Sequence, residues 1–271
     1  MRGEDSMRFY IMTDMEGVSG VVDYEKDCSP GGVHYEKAMR LTTLEVNAAI
    51  EGILSTGNHE IIVCDGHGPG GIDIELLHRQ AQLIMGRPLD PMFGIDDGPF
   101  DAFLMIGQHA MKGTPGAALA HTFSSKNILS LTLNGTPIGE AGINALRAGI
   151  YDIPTIFLSG DRAACEEIRR IIPGIHTCAV KKAIKETSAL CLQPEKAREK
   201  IKEAAAYAVT HMEGIRPFKL DPPYEAIFEF VRPNQIEPYR NKKYCHILSE
   251  TKVAIYADDM ETLLKERLWA G

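Results

Sequence analysis

The stretch FYIMTDMEG, from Phe9 to Gly17, carries two carboxylates, Asp14 and Glu16, directly after a short apolar run. If Phe9 to Met12 is a buried strand, both acids stand at its carboxyl end and, being two apart, on one face. Acids in that position need something cationic. A salt bridge or a role as helix cap would serve, and so would a divalent metal. Three more residues of the right chemistry follow other ordered segments: His67 after IIVC, in DGHGPG; His109 after AFLMI, in GQHA; and Glu140 after NGTPIG. Taken singly, either imidazole could be structural, and Glu140 could simply favour the start of a helix through its dipole.

Together they say more. The carboxyl ends of the strands in an open α/β sheet share one crevice, so residues far apart in sequence can converge there. Three carboxylates and two imidazoles, with no thiolate, are a donor set that zinc or a similar metal takes at catalytic sites. Five ligands exceed the usual three of one catalytic zinc and suit a two-metal centre with one bridging carboxylate. Asp65, two residues before His67, could orient that imidazole or could hold a turn. His34, His59, His78, His176, His211 and His246 lack comparable settings and read as surface or packing residues.

The elements that would position these groups follow from periodicity and punctuation. Val33 to Thr56 has the apolar spacing of an amphipathic helix, with Gly57 placed as its C-cap. Ile61 to Cys64 is a short strand, which completes a parallel βαβ unit. Ile72 to Met85 is expected to be helical, and Ala102 to Ile106 a buried strand. Asn134-Gly135 between Ile128 to Leu133 and Pro137 to Ile138 signals a hairpin. Glu140 to Ile150 and Arg162 to Ile172 read as helices, and Ile153 to Leu158 and His176 to Val180 as strands. Beyond these come a long helix from Pro194 to Met212, a strand from Tyr224 to Val231, one or two strands within Tyr244 to Tyr256, and a last helix from Asp258 to Leu268. The expected fold is α/β: a mainly parallel sheet with helices on both faces, plus a smaller C-terminal α+β portion. A soft boundary near Thr187 to Pro194 would separate a metal-binding catalytic domain, 1–190, from a smaller lobe, 191–271, that could serve assembly.

Bulk composition narrows the function classes. In 271 residues, hydrophobic content is 44%, charged content 24% and formal net charge −8. With lysine and arginine runs no longer than pairs such as Arg169-Arg170 and Lys181-Lys182, a nucleic-acid surface is not expected. No window approaches the roughly 18 apolar residues of a membrane span. The opening MRGEDSM is charged and no apolar stretch of signal-peptide length follows it, unlike a secretory signal, and Met7 would be a more natural start. Cys28, Cys64, Cys165, Cys178, Cys191 and Cys245 are dispersed without a CxxC pair, as reduced core thiols of a cytoplasmic protein would be.

The motifs TDMEGVSG, DGHG, GQHA, TPGAALAH and NGTPIGEAGINA, in this order, resemble those of the metal-dependent D-aminopeptidases of the DppA type, as do GIDD from Gly94 to Asp97 and SGDRAA from Ser159. The resemblance is close over the first two thirds of the chain and looser beyond, and Met12 stands where the SxDxEG signature has serine. It implies zinc, two ions per subunit. Asp14 would bridge them, with Glu16 and His67 completing one site and His109 and Glu140 the other. His121 would be the catalytic histidine that binds no metal, and the assembly a ring-shaped homodecamer enclosing its active sites. The implied activity is hydrolysis, through a metal-activated water, of short peptides with an N-terminal D-amino acid, such as D-Ala-D-Ala. A related metallo-amidohydrolase or L-specific peptidase would share the metals and differ in the pocket. A non-catalytic metal- or ligand-binding assembly protein would have no need of His121.

Overall fold

The computed structural model describes residues 6–268, so the residues before Ser6 lie outside it. In chain order the elements are β1 (Arg8–Thr13), α1 (Tyr35–Leu54), β2 (Glu60–Asp65), β3 (Ala81–Ile84), β4 (Ala102–Gln108), β5 (Ile128–Leu133), β6 (Thr136–Pro137), α2 (Glu140–Ile150), β7 (Thr155–Asp161), α3 (Arg162–Ile171), β8 (His176–Lys185), β9 (Ser188–Cys191), α4 (Pro194–Thr210), β10 (Tyr224–Phe230), β11 (Cys245–Ile247) and β12 (Lys252–Ala257). A seven-stranded sheet has the order β3-β2-β1-β4-β7-β8-β9, parallel throughout except for β9. Its central strands are buried on both faces, which is why they read as continuous apolar runs. Phe9 and Ile11 of β1 face α1 and α4, whose Ile50, Ile53, Ile201 and Ala205 cover one side. Tyr10 and Met12 face the opposite core, which takes in α2, α3 and the second sheet.

That second sheet is antiparallel, in the order β11-β12-β10-β5-β6. Its β5–β6 hairpin turns through Asn134 at φ 48° and Gly135 at φ 76°, the left-handed pair that such a two-residue connection demands. Sheet membership crosses the chain, since β5 pairs with β10, while β9 folds back on its neighbour β8 as a hairpin. No helix among the described residues is long and apolar enough to cross a membrane, and all six cysteines are free thiols.

Two local expectations give way. Residues 72–85 do not form a helix; they run through turns into β3, which extends the sheet beside β2. Neighbouring side chains take the backbone groups that a helix would have used. Asp65 accepts from the N–H of Gly71 and Ile72, and the Asn47 amide meets Leu76 O and His78 N. Nor does Gly57 cap α1. The helix stops at Leu54, and the hydroxyls of Ser55 and Thr56 donate back to the carbonyls of Gly52 and Ile53, so no left-handed residue is required.

Candidate metal centre

Strand order reverses at β1, with β2 on one side and β4 on the other, so the crevice of the sheet opens above the β1–β4 pair. Asp14 and Glu16 leave the end of β1, His67 follows β2, His109 follows β4, and Glu140 opens α2. The β1 and β4 extensions are laced together by Asp14 N to Ile106 O at 2.8 Å and Gly17 N to Gly107 O at 2.7 Å. Only glycine permits this approach. A Cβ on Gly17 would lie 2.0 Å from Gln108 O, and one on Gly107, at φ +78°, would lie 2.0 Å from Asp14 O.

All five proposed ligands meet. Asp14 lies between two groups: its Oδ1 is 3.3 Å from His67 Nδ1, and its Oδ2 is 3.3 Å from His109 Nε2. Glu16 Oε2 joins the first group, 3.2 Å from His67 Nδ1, and Glu140 Oε1 the second, 3.5 Å from His109 Nε2. Asp14, Glu16, His67 and His109 are buried, while the Glu140 side chain is 21% exposed. His121 stands beside them, its ring stacked on that of His109 with centroids 3.9 Å apart and its Nε2 3.7 Å from Glu140 Oε1.

Backbone carbonyls orient the imidazoles. His67 Nε2 lies 2.9 Å from Cys28 O, His109 Nδ1 3.0 Å from Ala110 O, and His121 Nδ1 3.0 Å from Leu119 O. A carbonyl only accepts, so each of these nitrogens carries a proton and the other nitrogen of each ring is turned to the carboxylates. Phe123 N donates to Glu140 Oε1 at 2.7 Å. Tyr24 sets its ring edge-on to His121 and donates its hydroxyl to Ala120 O, steadying the 119–121 loop.

The electrostatics are those of a cation site. Burial pulls the His67 imidazole down, but Glu16 and Asp14 outweigh it and push the group up to about 11. Burial likewise opposes charge on His109, and the Asp14 and Glu140 carboxylates hold it well above the usual histidine value. Burial would raise Glu16 and Glu140, yet the facing imidazoles leave both lowered. Two buried atoms, Glu16 Oε2 and His109 Nε2, make no hydrogen bond. Donor atoms 3.2 to 3.5 Å apart match the edge, about 3.3 Å, of a tetrahedron of ligands at the usual zinc distances. The residues therefore fit a metal. Two overlapping donor triads stand out, Asp14–Glu16–His109 and His109–His121–Glu140. The cluster opens into a cavity of about 630 Å³, within the range of small-ligand sites.

Asp65 takes the turn role: its carboxylate accepts from Gly71 and Ile72 and does not reach the His67 ring. Sequence reasoning missed Lys181. Although 3% exposed, it donates from Nζ to Glu16 O and Val21 O, so a buried ammonium anchors the loop that bears Glu16. Its signal was hidden because a register shift opposite Gly160 and Asp161 changes the phase of β8 and turns Lys181 inward. Arg147 was missed too, although its spacing from Glu140 and Asn144 puts all three on one face of α2.

Fold and donor set are those of a metal-binding α/β protein, and its relatives make it a metal-dependent hydrolase. Comparison with known proteins specifies it: the model of the D-aminopeptidase family, Peptidase_M55, matches residues 7–267, and the chain belongs to that family. It is 31% identical over 267 residues to the D-aminopeptidase of Bacillus subtilis (strain 168), a match covering 97% of this chain and 94% of the relative. Among solved structures it is similar to the Zn-dependent D-aminopeptidase DppA from Bacillus subtilis, a self-compartmentalizing protease, with a TM-score of 0.85 and 30% identity over 94% of this chain and 93% of that one.

Proposed function

We propose that this chain is a dinuclear zinc aminopeptidase that hydrolyses short peptides with an N-terminal D-residue, of the D-Ala-D-Ala type. The observation that carries the reading is the two-sidedness of Asp14, whose two oxygens each lie 3.3 Å from a different imidazole. With Glu16 beside one and Glu140 beside the other, Asp14 is disposed to bridge two ions, each completed by one histidine and one glutamate. The zinc dependence of the Bacillus subtilis relative supports the choice of metal.

When bound, zinc supplies Lewis-acid polarisation of the scissile carbonyl and a water acidified toward neutrality. The chain's own residues supply the rest. Asp14, Glu16 and Glu140, with His67 and His109, would hold the ions at the end of the cavity where the free α-amine of the peptide docks. His121, proton-bearing at Nδ1 on Leu119 O, presents a free Nε2 beside Glu140, placed to take a proton from the attacking water and then, protonated on Nε2, to hand it to the leaving amine or to stabilise developing negative charge. Tyr24 and the stacked His109 ring fix its orientation. The test is hydrolysis of paired D- and L-alanyl dipeptides by metal-reconstituted protein. D-alanyl peptides should be cleaved, L-alanyl ones spared, and chelation should abolish turnover until zinc is restored. Cleavage of the L series alone would overturn the D-specific reading, and no turnover of any amide or ester would overturn the peptidase reading.

The same proposal includes a ring-shaped decamer in the cytoplasm. The self-compartmentalizing character of the Bacillus subtilis relative supports assembly, and six free thiols, five of them buried, suit a reducing compartment. Light scattering that returned a monomer at micromolar concentration would refute the ring.

A further inference from the structure

Two arginines and a lysine line the cavity beside the metal-binding cluster: Arg87, Arg147 and Lys126. Two have their charge answered. Arg87 donates to the carbonyls of Asp65, His67, Gly68 and Gly86 and lies 3.8 Å from the Asp65 carboxylate. Lys126 pairs with Glu25 at 2.8 Å. Arg147 differs. It is 1% exposed, its Nε donates to Pro91 O at 3.0 Å, its Nη1 meets Asn144 Oδ1, and its guanidinium lies over the Phe93 ring at 4.4 Å. Its Nη2 is buried with no hydrogen-bond partner, and no carboxylate of the described residues forms an ion pair with it. Burial pulls this guanidinium down to about 10, with Tyr10, Cys64 and Glu140 opposing, so it remains a cation at neutral pH.

A buried cation with a free donor and no anion is costly unless a ligand supplies the anion. We infer that Arg147 receives the free C-terminal carboxylate of the peptide substrate and thereby limits the enzyme to short peptides. The inference rests on the aminopeptidase reading above. Glu140 and Arg147 are seven residues apart on one face of α2, a rise of about 10 Å. The long Arg147 side chain leans back toward the helix N-terminus and shortens the gap. An extended dipeptide spans about 7 Å. A peptide with its N-terminal residue at the carboxylate cluster therefore brings its C-terminus to the guanidinium after one or two further residues. The cavity has the metal-holding cluster at one end, where the free α-amine of the peptide docks, and an unanswered guanidinium at the other, with the neutral Asn144 between, and this matches the two ends of an unblocked short peptide. Arg87 is not available in the same way, since four of its five N–H donors are spent on backbone carbonyls and its charge is met by Asp65.

The experiment compares D-Ala-D-Ala with its C-terminal amide on zinc-loaded wild-type protein, which requires no variant to fold. Amidation should raise KM by about 10- to 100-fold, the range that charge-assisted hydrogen bonds supply. R147M should raise KM for the free acid toward that of the amide, and R147K should restore part of the difference; zinc content and melting temperature are measured for each variant. Equal KM for acid and amide in the wild type would overturn the carboxylate subsite and leave the aminopeptidase reading standing. Hydrolysis of neither substrate would overturn the aminopeptidase reading and the subsite with it.

Discussion

The rings of His109 and His121 stack 3.9 Å apart and within 12° of parallel, and both Nε2 atoms face Glu140 Oε1, at 3.5 and 3.7 Å. One carboxylate oxygen thus faces two imidazoles, only one of which is assigned to a metal. The prediction is that His121→Ala loses about 10²- to 10⁴-fold in kcat, the usual cost of a missing general acid or base, with zinc content retained. Elemental analysis would settle the division of labour: a variant depleted of zinc would make His121 a ligand.

A carboxylate facing two donor groups and one facing a single group should differ when removed. Asp14→Ala is expected to release both ions, and Glu16→Gln, which keeps the shape but not the charge, chiefly one. Metal-to-protein ratios after dialysis against zinc-free buffer measure this directly. Equal losses in the two variants would contradict a bridging role for Asp14.

The buried Lys181 ammonium holds the carbonyls of Glu16 and Val21. Lys181→Met keeps the aliphatic bulk and leaves both carbonyls unpartnered, so urea unfolding should show a loss of about 1.5–3 kcal/mol. Because one of the two carbonyls belongs to Glu16, zinc affinity should also fall. A destabilised variant with unaltered affinity would show that Lys181 acts on the fold alone.

How legible these features were depends on where each residue stands in its element. Asp14, His67 and His109 interrupt apolar runs at the ends of central strands, and a polar residue at such a point is conspicuous because the strands are buried on both faces. The hairpin and α2 were equally plain, since Asn134-Gly135 and the opening Glu140 are local signals. Residues 72–85 were not, because Asn47, far upstream on α1, and the turn-forming Asp65 capture their backbone groups. Lys181 was invisible for a related reason: its inward turn depends on a register shift against β7, and nothing in HTCAVKKAIK announces it. Arg147 had a signal in its spacing from Glu140, but what distinguishes it is a missing partner, and that shows only once its neighbours are in place.

Glu45, on α1, provides a prediction about pH. It is 3% exposed; Ser19 N donates to its Oε1 at 2.9 Å, while Oε2 has no partner. Burial raises its carboxyl from 4.5 to about 7, with the Ser19 hydrogen bond and Lys181 opposing. The folded state therefore holds a proton that the unfolded chain has already released between those two values. Stability falls as pH climbs through this window and is flat above it, by roughly 3 kcal/mol for such a shift. Glu45→Gln keeps an oxygen for Ser19 N and cannot ionise, so it should stabilise the protein by about 2–3 kcal/mol at pH 8 and hardly at all at pH 4.5. Urea denaturation of both proteins at the two pH values reads the difference, and a gain of equal size at each pH would show that Glu45 does not titrate in this window.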